Sequence, residues 1–185
     1  ETVDIKEHYT RIVIKNLNKR IVGSRTVGKV KELLSSIYRE DIRSGLIKIY
    51  YNGTLLQFKE APVYEEDVNG QLKVWKKPIS FIVQHEGKDL DVQGFVAIRI
   101  PGSVKDAGFT LIRRGRVIVG GSEKNYRPAE LFGDANSYAW QRMYGELHMN
   151  NWPVTQAKDG FDWHNSGLED AFIEALREHT QDYRR

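Results

Sequence analysis

Trp152-Pro-Val-Thr-Gln-Ala-Lys-Asp-Gly-Phe161 separates an extended run, Gln141 to Met149, from the best-marked helix of the chain, which begins near Ser166. Pro153 lacks an amide donor and Gly160 lacks a side chain, so no regular element is expected through the middle and Lys158 falls on an irregular loop. A loop held between two rigid elements can present an ammonium to an anion, as phosphate-binding lysines do. The residues alone also allow a solvated lysine in a polar loop.

Downstream, Ser166-Gly-Leu-Glu169 has the spacing of a capping box, and Leu168, Phe172, Ala175, Leu176 and His179 mark one face of a terminal helix. Upstream, Gly108–Arg113 and Arg116–Val119 flank a turn at Arg114-Gly115, and Ile79–Gln84 and Asp91–Ile100 flank another at Glu86-Gly-Lys88. Asn52-Gly53, between Leu46–Tyr51 and Thr54–Leu56, is the strongest short hairpin signal, because both central residues must accept positive φ. Residues 59–72 read as a loop, and 120–137 as a long connection with one helical turn around Pro128 to Phe132. Arg11–Leu17 reads as a strand, and a helix capped by Thr26 carries Val27, Val30, Leu33, Leu34 and Ile37 on one face. About eight strands and two or three helices predict an α+β domain: a mostly antiparallel sheet with helices on one face.

The 185 residues suffice for one good core, and 40% hydrophobic with 29% charged residues suits a water-facing globular domain. No run approaches the roughly 18 apolar residues of a membrane helix. The absence of cysteine excludes disulfides and thiolate chemistry, and fits a cytoplasmic location. The chain begins with Glu1 rather than methionine, so a fragment of a longer protein is expected. A net charge of +3 permits nucleic-acid contact without arguing for it. Basic residues cluster at Arg113, Arg114 and Arg116; they are candidates for contacting a DNA backbone, or solvated turn residues.

No complete active site is legible. Gly23-x-x-x-x-Gly28-Lys29 opens like a P-loop, but Val30 stands where the magnesium-binding hydroxyl belongs. No H-E-x-x-H occurs; His148, Asp162 and His164 are close enough in sequence to suggest a metal-dependent nuclease. Trp140, Tyr144, Trp152 and Trp163 are expected in the core or at an interface rather than as base-stacking platforms.

The order of elements carries a resemblance. A strand pair, Gly108-Phe-Thr-Leu-Ile-Arg-Arg-Gly-Arg-Val-Ile-Val119, precedes the extended Arg142-Met-Tyr-Gly-Glu-Leu-His-Met149. Then come Thr155-Gln-Ala-Lys158-Asp-Gly-Phe161 and a helix. This resembles the transducer domain of GHKL ATPases, a superfamily that includes the gyrase B subunit, MutL, topoisomerase VI and the MORC proteins, and is most similar to the MORC version. Gln156 with Lys158 resembles the gyrase loop. His8-Tyr-Thr-Arg-Ile-Val-Ile-Lys-Asn-Leu17 is similar to the last strand of the nucleotide-binding domain, with Tyr9 in place of the family glycine and Thr10 matching its adenine-side threonine.

The resemblance implies residues 1–17 as that final strand or a linker and 18–185 as a transducer-like domain with the ribosomal-type fold of the family. It also implies a role for Lys158, reaching the γ-phosphate of ATP in the neighbouring domain; Gln156 and Thr10 would contribute to nucleotide binding. The family's catalytic glutamate, magnesium-binding asparagine and glycine-rich motifs have no counterpart in the sequence. The chain alone is therefore not expected to hydrolyse ATP. ATP and Mg2+ would be held by the intact protein, a homodimer containing an N-terminal nucleotide-binding domain, in a process involving DNA. The alternatives are a stand-alone nucleic-acid-binding module and the nuclease built on His148, Asp162 and His164.

Overall fold

A computed structural model describes residues 12–16, 18, 21–121, 124–164 and 167–184. Ile12 to Lys15 form no strand in it. Ile12, Val13 and Ile14 are 81%, 62% and 73% exposed, and no strand among the described residues pairs with them. The rest of the expected first strand, Arg11 and Leu17, lies outside the described residues, as do Thr10 and Ser166.

Helix α1 spans Ser24–Ile37 and α2 spans Arg39–Ser44. The first begins two residues before Thr26, and its N-cap is Gly23 without a side-chain cap, so Thr26 lies in the first turn instead of capping it. Gly28 and Lys29 are thereby inside the helix, which removes the P-loop geometry. The apolar stripe of α1 is only half-buried, and its most enclosed residues are Ser35 and Ser36.

Four hairpins follow, each closed by two residues at positive φ. β1 (Tyr50–Tyr51) and β2 (Thr54–Leu55) turn at Asn52 and Gly53, with φ 48° and 73°. β3 (Glu65–Val68) and β4 (Gln71–Val74) turn at Asn69 and Gly70, with φ 55° and 80°. This pair replaces the loop expected over 59–72: β3 opens on the acidic Glu65-Glu-Asp67, and although Leu72 and Val74 alternate in β4, both stay exposed and mark no buried face. β5 (Lys76–His85) and β6 (Lys88–Ile98) turn at Glu86 and Gly87; β7 (Gly108–Arg113) and β8 (Arg116–Val119) turn at Arg114 and Gly115. Such turns carry the twist that antiparallel strands need.

After α3 (Ala129–Phe132) comes α4 (Tyr138–Arg142), where an extended run from Gln141 was expected. Ser137 caps α4 by accepting from the Trp140 amide, at 3.0 Å, and so holds Gln141 and Arg142 helical. β9 (Met143–His148) then enters the centre of a five-stranded sheet, in the order β5-β6-β9-β7-β8. β9 runs antiparallel to β6 and parallel to β7, making the sheet mixed but mostly antiparallel. α5 (Leu168–Thr180) and a 3-10 turn (Gln181–Tyr183) finish the chain. The fold is α+β, with nine strands and five α-helices among the described residues.

Strand alternation divides the sheet into two unlike faces. Ile79, Phe81, Val92, Val96, Phe109, Leu111, Met143 and Leu147 share one face and pack against α3 and α5, through Phe132, Phe172 and Leu176. Phe95, Thr110, Tyr144 and Glu146 point to the other, where α1 and α2 lie over β7 and β8. Helices therefore flank both faces, not one. The reason is chemical: the inner surface of α1–α2 presents Arg39, which donates to the Ser36 hydroxyl beside it and to Thr110 and Glu146 on the sheet, in place of an apolar core.

Candidate functional site

The loop between β9 and α5 is irregular, as Pro153 and Gly160 require, but it is firmly anchored. Asn150 Oδ1 accepts the Arg114 amide at 2.7 Å, tying the loop to the β7–β8 turn. Asn151 Oδ1 accepts the Asp91 amide at 3.0 Å, and its Nδ2 donates to the Asp89 carbonyl at 2.9 Å and to Asp91 Oδ2 at 3.0 Å. Trp152 is fully buried; its indole donates to the Asp91 carbonyl at 2.8 Å and stands edge-on to Trp163 and Phe172. The loop's first residues are thus fixed to β6 on one side and to β7–β8 on the other.

Beyond this base the chain closes on itself. Val154 and Phe161 form an antiparallel bridge, the Asp162 amide donates to the Pro153 carbonyl at 3.0 Å, and the Thr155 amide donates to the Gly160 carbonyl at 3.0 Å. Inside that clip the Lys158 amide donates to the Thr155 carbonyl at 2.9 Å, and Thr155 Oγ1 donates to Asp159 Oδ1 at 2.7 Å. Residues 156–159 are left exposed at the tip. Lys158 sits there at φ 58°, the left-handed region that lysine rarely enters, and where a side chain costs about 1 kcal/mol or more. Gln156 lies on the same tip.

The three arginines differ in situation. Arg113 is half-buried, and its Nε donates to the Trp152 carbonyl at 3.2 Å, so it supports the base of the loop. Arg114 is an exposed turn residue at φ 51°. Arg116 is exposed, with its guanidinium carbon 5.7 Å from the centre of the Tyr38 ring. His148 lies on the same strand face as Glu146, whereas Asp162 and His164 belong to the loop leading to α5, where Asp162 Oδ1 accepts the His164 amide at 3.3 Å. Among the described residues no three His, Asp or Glu side chains gather as a metal site. Trp140 and Trp163 pack against the core and Trp152 lies within it, as expected.

On the sheet's second face lies an ionic cluster that the sequence did not reveal. Glu146 Oε1 accepts from Arg39 Nη1 at 2.9 Å and Arg43 Nη2 at 3.1 Å, and Oε2 accepts from Arg43 Nη1 at 3.1 Å. Arg39 also donates to the Ser36 carbonyl and hydroxyl and lies 4.5 Å over the Phe58 ring; Arg43 continues to Glu60 and Glu40. Burial alone would raise the Glu146 carboxyl, but the hydrogen bonds and charges of Arg43 and Arg39 outweigh it and hold the group below its ordinary value. Burial pushes the neighbouring Tyr144 phenol up to about 12. A charged residue inside the otherwise apolar run Met143–Leu147 is the signal that could have found Glu146; nothing local identifies its partners, which are more than 100 positions away.

No protein-family model matches the chain, and no curated protein matches it in sequence.

Proposed function

We propose that this chain is the transducer region of a GHKL-type ATPase, with the ribosomal-type fold of that family, and that Lys158 is its γ-phosphate-sensing residue. The observation that carries the reading is the construction of the Lys158 loop. A base fixed to two parts of the sheet and a clip between Val154 and Phe161 hold a lysine outward at φ 58°. An exposed tip on a well-bonded base suits a device that presents an ammonium to an anion; the left-handed φ of Lys158 is that of the turn itself, as at Glu86 and Arg114. The parallel pairing of β7 with β9 and the α5 that follows fit the order of elements on which the resemblance rests.

In this reading the ammonium of Lys158 enters a nucleotide site formed by a preceding domain. That domain supplies Mg2+, the catalytic glutamate and the adenine pocket, to which Thr10 belongs. A full charge in such a partly desolvated place contributes about 2–4 kcal/mol to phosphate binding or transition-state stabilisation. Gln156 assists from the same tip. Because Asn150 and Arg113 join the loop to the β7–β8 turn, a pull on Lys158 is transmitted to the sheet, a phosphate contact biasing a two-state arrangement. Closure of a homodimer and handling of DNA are the proposed outputs in a cytoplasmic protein. Arg114 and Arg116, being exposed, are better suited to contact DNA phosphates than Arg113, which is engaged in the loop base.

Reading the coding sequence upstream of Glu1 tests this. About 150 residues with a helical E-x-x-x-N and a later D-x-G-x-G would support it. A start codon within a few residues would overturn it in favour of a stand-alone nucleic-acid-binding module.

A further inference from the structure

The sheet face opposite α5 carries a cleft of about 740 Å³, roofed by α1, α2 and the segment from Leu56 to Pro62. That volume is of the order that receives a small organic molecule. Its walls combine apolar groups, chiefly Phe58, Phe95, Leu56 and Pro101, with a few converging polar side chains.

Nearly all the charge in these walls is already matched. Glu146 is shared by Arg39 and Arg43, Glu60 is held by Arg43, and Glu32 by Lys105. Asn125 uses its amide on the Asp106 and Ala107 carbonyls and its oxygen on the Gly121 amide. Lys31 donates to the Thr54 hydroxyl at 2.9 Å, and Arg99 is paired with Asp106 but is the buried lining side chain left with open donors. It is 7% exposed and lies on the same sheet face as Phe95, yet only its Nη2 is engaged, with Asp106 Oδ2 at 3.3 Å. Its Nε and Nη1 are buried with no acceptor. A guanidinium left with open donors in a desolvated wall is costly, and an acceptor supplied from outside removes that cost. At the rim, exposed Lys59 adds positive charge.

We propose that this cleft binds a small molecule with an anionic head and an apolar, preferably aromatic, body. Arg99 receives the head, and the Phe58 and Phe95 side flanks the body. Arginine suits a planar carboxylate or a phosphate equally, since its fork matches both. The site is separate from Lys158 and does not depend on the role given to that residue.

Isothermal titration of the 185-residue chain with phenyl phosphate, benzoate and inorganic phosphate tests the assignment. Binding of phenyl phosphate or benzoate is expected, and whichever is tighter identifies the head. Inorganic phosphate is expected to bind more weakly than phenyl phosphate, because it lacks the body. Arg99→Gln should weaken binding about ten- to hundredfold, the range for losing charge-assisted hydrogen bonds. Ala61→Trp, which fills the cleft while keeping the backbone carbonyl that Tyr144 uses, should abolish binding even if Arg99→Gln does not fold. No heat from any of the three probes, or unchanged affinity in a folded variant of either kind, would overturn the proposal.

Discussion

Replacing Glu146 with glutamine leaves the shape of the side chain intact and removes one charge from the centre of the sheet. Its carboxylate accepts three hydrogen bonds from two arginines, and the side chains of Glu146 and Arg39 are 8% and 7% exposed. Glutamine keeps one acceptor oxygen but turns an amide donor towards Arg43, so at least one bond is lost and the Arg39 charge is left buried without its counter-ion. Removing one partner of such a buried pair costs about 3–5 kcal/mol. The lower end applies, because Arg43 is 35% exposed and keeps Glu60 and Glu40. Urea unfolding followed by tryptophan fluorescence measures the loss. With a slope of about 2 kcal/mol per molar, a cost of about 3 kcal/mol lowers the midpoint by about 1.5 M. The double variant Arg39→Met with Glu146→Leu should recover most of that stability, since well-packed apolar groups replace a buried pair at little cost. A loss below about 1 kcal/mol for Glu146→Gln, the size of an exposed ion pair, would refute the reasoning.

Acid should act on the same cluster. The folded-state pKa of Glu146 lies below its ordinary 4.5, so its contribution is complete above that pH and disappears as the pH falls through the depressed value. Stability of the parent chain should fall more steeply below about pH 4.5 than that of Glu146→Gln, measured as urea midpoints across the range; parallel curves would contradict this. Trp152→Ala empties the loop base and leaves the Asp91 carbonyl without its donor. A cost of about 3–5 kcal/mol, or about 6–20 °C in melting temperature, is expected by calorimetry, and a shift under about 2 °C would count against the anchoring described. Gly145→Ala would bring a methyl to 2.1 Å from the Phe95 carbonyl and 2.7 Å from the Phe109 ring. Circular dichroism should find that chain unfolded or destabilised by about 3 kcal/mol or more, whereas near-native melting would mean that β6 and β7 can separate around β9.

What the sequence disclosed, and what it hid, follow from the range of each signal. Asn52-Gly53, Glu86-Gly87 and Arg114-Gly115 are local instructions, and each turn formed where expected. Asn69-Gly70 carries the same instruction, yet the flanking Glu65–Val68 and Gln71–Val74 strands are nearly all exposed, so no buried face marked them. The terminal helix declared itself through Leu168, Phe172 and Leu176, all buried. The faces of the sheet did not: whether α1 covers the same side as α5 depends on Arg39 finding Glu146 across 107 positions. The Lys158 loop was legible as irregular through Pro153 and Gly160. Its anchoring was not, because Asn150 and Asn151 act on Arg114, Asp89 and Asp91 in distant hairpins.

The central proposal, that Lys158 reports on the γ-phosphate, is met most directly by ATP turnover in a longer protein that carries the proposed nucleotide-binding domain ahead of this chain. Lys158→Ala should lower turnover about 10- to 1000-fold, the kinetic equivalent of losing about 2–4 kcal/mol of phosphate contact, with melting temperature unchanged because the side chain lies at an exposed tip. Turnover within about twofold of the parent, in a folded and dimeric Lys158→Ala protein, would contradict the account.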